Sequence, residues 1–163
     1  MNNEITWVNV IEASSGLENL SGTGDVDIFE FHSSTDSAAT IAADTTRTFD
    51  SISNFASNID KIQLDSVGTL DFSTDAVVTL NQRSLTDVDT FTELASQLGT
   101  LSASTATTVE IYDINITGLL ADAGTNHIFV VNDNDTSLTA DDLMIGLTAS
   151  SPTILNSDFD IIT

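Results

Sequence analysis

Leu20-Ser21-Gly22-Thr23-Gly24-Asp25-Val26-Asp27-Ile28-Phe29-Glu30-Phe31 is the stretch on which the reading of this chain turns. Two glycines and two aspartates stand immediately ahead of an alternating apolar run, the pattern of a tight turn feeding a β-strand. A second phrase answers it: Phe49-Asp50-Ser51-Ile52-Ser53-Asn54-Phe55, then Asp60-Lys61-Ile62-Gln63-Leu64-Asp65. The carboxylates of Asp25, Asp27, Asp50 and Asp60 are hard oxygen donors, and with free turn carbonyls they could complete a Ca2+ shell. For the first stretch, with Asp25 and Asp27, an acidic β-turn without metal is an equally good reading.

Working outward, a chain of 163 residues is one domain, long enough to bury a sizeable core. Its 3 basic and 25 acidic residues leave a formal charge of −22. Such a field repels nucleic-acid phosphates and anionic lipid heads, so neither is expected as a partner. It also strains a compact state by self-repulsion, which bound divalent cations would offset. Cysteine is absent, so disulfides and thiolate metal sites are excluded. Met1-Asn2-Asn3-Glu4-Ile5 has neither a positive region nor a long apolar run, so no ordinary secretory signal peptide is expected. No stretch has the apolar length to span a bilayer.

Taken in order, residues 5–11 are rich in β-branched side chains and read as a strand, with Trp7 as a core or rim packing residue. Residues 33–48 read as a Ser/Thr/Ala-rich loop. Ile62 and Leu64 mark a short strand, beside which Lys61 is expected to pair with a carboxylate. Residues 70–80 suggest another strand with a turn at Thr74-Asp75. Thr90-Phe91-Thr92-Glu93 has capping-box spacing, Phe91, Leu94, Ala95 and Leu98 share one helical face, and Gly99 is a fitting stop. After a loop over 100–108, Val109, Ile111, Ile114 and Ile116 outline a strand whose phase break suggests a bulge near Tyr112-Asp113. A turn over 121–126 leads to a strand from His127 to Val131, where the lone histidine is expected at the surface or in a hydrogen bond rather than on a metal. Asn132-Asp133-Asn134-Asp135-Thr136 lacks the sixth-position glycine and twelfth-position glutamate of an EF-hand and reads as a hairpin turn. Leu143, Ile145 and Leu147 alternate as a strand, Pro152 marks its exit, and Asp158-Phe159-Asp160-Ile161-Ile162 closes the chain with acids among apolar residues.

The Gly22–Phe29 turn resembles a terminal copy of the glycine- and aspartate-rich nonapeptide of RTX proteins, with one residue more between Gly24 and Asp27 than the family pattern. The segment from Phe49 to Asp65 is similar to the one that follows the last repeats in such proteins. Asn126–Asp133 and Asp142–Thr148 are similar to their final strands. The resemblance covers most of residues 17–163: an RTX-like segment over about 17–65, then terminal strands and a secretion signal over about 109–163. It extends to the β-roll cap of serralysin-like proteases. It implies Ca2+ as the bound ion and export by a type I secretion apparatus, with Asp158, Phe159, Asp160, Ile161 and Ile162 as the C-terminal address. The missing leader alone would favour the cytoplasm; the resemblance instead implies a secreted protein at the cell surface of a Gram-negative bacterium.

No nucleophile elbow, phosphate-cradling loop or other catalytic set is present in the sequence, so no enzymatic activity is expected. The expected fold is mainly β, a short β-roll-like or β-sandwich stack with one amphipathic helix, in a single domain spanning 1–163. The expected role is the C-terminal module of an RTX-like surface-layer protein or adhesin, acting as secretion signal and calcium-stabilised folding cap on the remainder of its parent. The alternative is a lattice self-assembly module, or a surface-binding adhesin domain, with little calcium dependence.

Overall fold

The computed structural model describes residues 7–37, 49–117, 127–148 and 153–162. The expected features at residues 5–6, most of the 33–48 loop, the 121–126 turn and Pro152 lie outside them. In chain order the strands are β1 (Val8–Glu12), β2 (Asn19–Ser21), β3 (Val26–Phe31), β4 (Asp50–Ser53), β5 (Lys61–Leu64), β6 (Ser66–Val67), β7 (Leu70–Asp71), β8 (Val77–Leu85), β9 (Thr108–Ile116), β10 (His127–Val131), β11 (Leu143–Thr148) and β12 (Phe159–Ile161). The helix α1 (Phe91–Leu98) lies between β8 and β9, and a 3-10 turn over Asn156–Asp158 leads into β12. The fold is mainly β with one short α-helix, as the sequence leads one to expect. Among the described residues no helix is long and apolar enough to cross a membrane.

The first five strands alternate between two sheets. The first sheet runs β1-β3-β5-β12, all parallel. In the second, of order β2-β4-β11-β10-β9-β8, β2, β4 and β11 are parallel, β10 is antiparallel to both neighbours, and β8 is parallel to β9. Each pass through one strand of each sheet is a coil, so the amino-terminal part winds as a β-roll. The final strands β11 and β12 come back from far along the chain to lie beside β4 and β5 as the next coil. Alternation explains the inward faces: Phe29 and Phe31 on β3 and Ile62 and Leu64 on β5 are fully buried, while the residues between them are half-exposed. They meet Leu20, Ile52, Phe129, Ile145 and Leu147 of the second sheet in one core.

A second core lies on the other face of the larger sheet, where Leu94 and Leu98 of α1 pack with Tyr112, Ile114, Ile128, Val130 and Met144. This corrects the expected bulge. β9 pairs with β8 without interruption from Val77–Thr108 to Leu85–Ile116. The phase break arises because Val109 and Ile111 face one core while Tyr112, Ile114 and Ile116 face the other. The 70–80 span also divides differently: β6 and β7 form a small hairpin around Gly68 (φ +57°), and β8 starts only at Val77 and runs on through polar Asn81–Ser84. The capping box does form, with Thr90 Oγ1 accepting from the Glu93 amide at 3.1 Å and Glu93 Oε2 from the Thr90 amide at 3.1 Å.

Two further expectations fail. Trp7 is 70% exposed, because β1 is an outermost strand with a single strand partner among the described residues. The Lys61 ammonium donates to the Ser157 carbonyl instead of meeting a carboxylate, and every ion pair among the described residues involves a histidine.

Candidate functional site

Seven aspartates are buried among the described residues: Asp27, Asp50, Asp60, Asp113, Asp133, Asp142 and Asp158. A buried carboxylate is tolerated only when hydrogen bonds replace its water, so the partners of each define what it does.

Three of them form a ladder at the turns that enter the first sheet. Asp27, the second residue of β3, accepts from the amide of Thr23 in the turn before that strand at 2.5 Å and from Asn9 Nδ2 of the preceding coil at 2.9 Å. Asp60 repeats this one coil on, accepting from Ala56 of its own turn at 2.7 Å and from the Asp27 amide at 3.0 Å. Asp158 repeats it again, with Leu155 of its own turn at 2.9 Å, and the Asn58 amide at 2.9 Å and Ser57 hydroxyl at 2.6 Å of the coil before. One carboxylate therefore pins its own turn and reaches back to its neighbour, a charge-assisted set of bonds stronger than neutral ones. The turns are built for this close approach. At Gly22 a Cβ would come within 3.0 Å of both the Asn54 carbonyl and Asp27 Oδ2, whereas Gly24 faces open space. Asn54 (φ +59°) and Asn58 (φ +66°) take left-handed corners that asparagine adopts more readily than most residues.

Of the four residues expected around Ca2+, the structure thus brings Asp27 and Asp60 together and supplies each with donors from the chain itself. Asp25 is exposed on the turn. Asp50 opens β4 in the other sheet, where it accepts from the Glu18 amide at 2.6 Å. The set does not converge on one point through these contacts. The third member of the ladder, Asp158, belongs to the C-terminal address residues. Its signal in the sequence is an aspartate standing at the threshold of an apolar strand, as Asp27 and Asp60 do. Phe159 is buried and meets Phe129 edge-on at 5.4 Å, Asp160 and Ile161 complete β12, and Ile162 bonds through its amide to the Leu64 carbonyl.

A second acidic group lies in the β10–β11 connection. Asp142 accepts from the amides of Asp133 at 2.8 Å and Thr139 at 2.6 Å, so the 132–136 segment is the ordered start of a hairpin connection, as expected. Burial pushes the Asp142 carboxyl up to about 7; the Thr139 and Asp133 amides pull it back, and the charges of Asp133 and Asp135 add to the rise. Burial likewise raises Asp133, with its bond from the Asp135 amide opposing and the charges of Asp135 and Asp141 reinforcing.

Among the described residues, one group of His and carboxylate side chains is close enough to share a cation: Glu12, Glu30 and His32, with ligand atoms within 4.8 Å of one another on the outer face of the first sheet. The His32 ring also lies 3.9 Å from Asp65 Oδ2. Composition hides this group in the sequence, since it depends on the in-register pairing of Glu12 with Glu30. His127 is buried and hydrogen-bonded, its Nδ1 3.2 Å from Asp113 Oδ1. Set against known proteins, the chain matches no family model, and no curated protein and no solved structure is similar to it.

Proposed function

We propose that this chain is a non-enzymatic capping module, closing one end of a stack of parallel β-coils in a larger protein exported to a bacterial cell surface. The observation that carries this reading is the asymmetry of the stack. At one end β1 and β2 are the outermost strands of their sheets, and Trp7, Val8, Val10 and Leu17 stand exposed there. A parallel edge bearing apolar side chains is a surface suited to receive further strands. At the other end β12 is likewise the outermost strand of the first sheet, but the larger sheet continues past β11 through β10, β9 and β8, and Asn156 Nδ2 donates to the Val78 carbonyl where β8 meets the turn before β12.

Export through a type I apparatus rests on the resemblance of Asp158, Phe159, Asp160, Ile161 and Ile162 to such addresses. Because Asp158–Ile161 sit in the folded coil, an exporter reading them would do so before this coil closes. Calcium belongs to the same reading as a partner of the −22 surface. Because Asp27 and Asp60 already accept from amides, this reading assigns the ion to solvent-facing carboxylates rather than to the ladder. Binding to the folded form alone adds about 2.7 kcal/mol when free metal is one hundred times its dissociation constant.

One experiment tests both parts: melting and light scattering of the full chain and of a Val8→Lys/Val10→Lys variant, in Ca2+ and in chelator at matched ionic strength. The expected result is a higher Tm in Ca2+ and a weak association that stops at pairs and disappears in the variant. An unchanged Tm removes calcium from the reading. Growth into ordered assemblies through the same open edge favours the second reading, a lattice module.

A further inference from the structure

The outer face of the first sheet gathers nitrogen and oxygen donors at one place. β1 and β3 run parallel with Glu12 directly beside Glu30, and His32 follows Glu30 on the same face by the period of two. Asp65 stands just past β5, where the pairing of Phe31 with Leu64 brings it alongside His32. One ligand atom from each of Glu12, Glu30 and His32 lies within 4.8 Å of the others. His32 Nε2 is 3.7 Å from Glu30 Oε2, and its Nδ1 is 3.9 Å from Asp65 Oδ2. None of the four residues is buried, so an ion can reach them from solvent.

Like charges side by side on neighbouring strands are destabilising, and Glu12 beside Glu30 is such a pair. No lysine or arginine offsets it among the described residues. Lys61 donates to the Ser157 carbonyl and Arg83 to the Gln82 carbonyl, and the ion pairs of Glu30 and Asp65 are with His32. The backbone that carries the imidazole is tied on both sides. The His32 amide donates to Asp36 Oδ2 at 2.8 Å, and its carbonyl accepts from Ser66 Oγ at 2.7 Å. A donor held in place by such bonds loses less freedom when an ion arrives.

We propose that Glu12, Glu30 and His32 bind one divalent transition-metal ion of the Zn2+ class, with water in the remaining position. Such an ion holds histidine nitrogen and carboxylate oxygen at about 2.0–2.2 Å, so two of its ligands on a tetrahedron stand about 3.4 Å apart. The 3.7 Å between His32 and Glu30 is close to that spacing, and the exposed Glu12 side chain turns in to complete the set. An imidazole that gives Nε2 to the metal carries its proton on Nδ1, on the side of Asp65. A carboxylate there is the outer partner that a metal-bound histidine commonly has. Calcium and magnesium fit less well, because both prefer shells of oxygen alone, about six to eight donors for Ca2+. With no cysteine in the chain, imidazole is the donor that favours Zn2+, Cu2+ or Ni2+ over them. The ion ties β1 to β3 and takes up the repulsion between the two glutamates.

The test is a titration of the untagged full chain with ZnCl2, followed by NMR of the imidazole signals, with CaCl2 and MgCl2 at matched ionic strength as controls. His127, buried against Asp113, is the internal reference. The expected result is a saturable, single-site shift of the His32 signals, with Zn2+ on Nε2 and the proton on Nδ1, while His127 stays in place. Glu12→Gln and His32→Gln change exposed residues. Each should weaken Zn2+ by at least about tenfold, the loss seen when even an outer partner of a metal ligand is removed. In chelator Glu12→Gln should melt no lower than the parent, because it relieves a like-charge pair; in Zn2+ the parent should melt higher. The proposal is overturned if His32 does not saturate, if Zn2+ sits on Nδ1, or if Glu12→Gln binds it as tightly as the parent. It is overturned as well if Zn2+ raises both Tm values alike, or if Ca2+ or Mg2+ saturates the same signals at the same concentrations. The open edge is carried by Trp7, Val8, Val10 and Leu17, none of them in this site, so a negative titration leaves the capping reading standing.

Discussion

At the scale of single residues, aspartate is the structural currency of this protein. The ladder residues Asp27, Asp60 and Asp158 each hold amides of two coils. Replacing Asp60 by Ala strands the buried amides of Ala56 and Asp27, and each such loss costs about 1–3 kcal/mol. Asp60→Ala is therefore expected to destabilise by roughly 2–4 kcal/mol in chemical denaturation, while Asp25→Ala, on the exposed turn, stays within about 0.5 kcal/mol. Equal effects would sink the ladder. Asp142 brings a pH dependence of defined sign. Its folded carboxyl titrates at about 7 and an unfolded one near 3.9. Between those values the folded state holds a proton that the unfolded state lacks, so this contribution is full below about pH 4, falls as pH rises toward 7, and is flat above. Melting from about pH 5 to 8 should show a declining Tm, with a shallower slope in Asp142→Asn. The sequence marked Asp27 and Asp60 as hard oxygen donors at the start of apolar strands. Whether amides or a cation meet them is set by the stacking of coils, which no local pattern reports.

At the scale of elements, local signals were read where one face decides the outcome. The capping box of α1 formed as the spacing of Thr90 and Glu93 requires, and Thr90→Ala should cost about 1 kcal/mol. An unchanged Tm in that variant would mean that packing of Leu94 and Leu98 alone holds the helix. β3 and β5 followed their alternation because one side of each is buried. β9 did not, because like β10 and β11 it lies between two cores and buries residues on both faces. A strand of that kind has no polar side to mark its phase, and in β9 the change of face looks like a bulge. β8 was cut short for the opposite reason: its polar half, Asn81–Ser84, lies at a sheet edge, where alternation with apolar residues is not required.

At the scale of the whole molecule, the chain returns late to finish what it starts early. Leu147 pairs with Ile52 and Phe159 with Ile62, and the Asn58 amide bonds to Asp158 one hundred residues away. Such long-range pairing must be reached against the entropy of closing a large loop, so the last coil is expected to form late in folding. That order suits a chain whose terminal residues are read before they fold, as the proposed export requires. It also puts the open edge, with Val8 and Val10, at the end of the stack opposite the wrapped strands. Trp7 shows the limit of reading burial from residue type: a tryptophan is buried on average, but an edge strand gives it neighbours on one side alone.

From the residues alone come a mainly β chain with one capped helix, acidic turns ahead of short strands and a formal charge of −22, because alternation, caps, turn residues and net charge are properties of neighbours and of totals. The assembled fold alone settles that the aspartates hold amides of neighbouring coils in a ladder, that β9 serves two cores, and that His127 of one strand meets Asp113 of the next. Those outcomes depend on which distant strands lie side by side, and that register is set by burial of the two cores together.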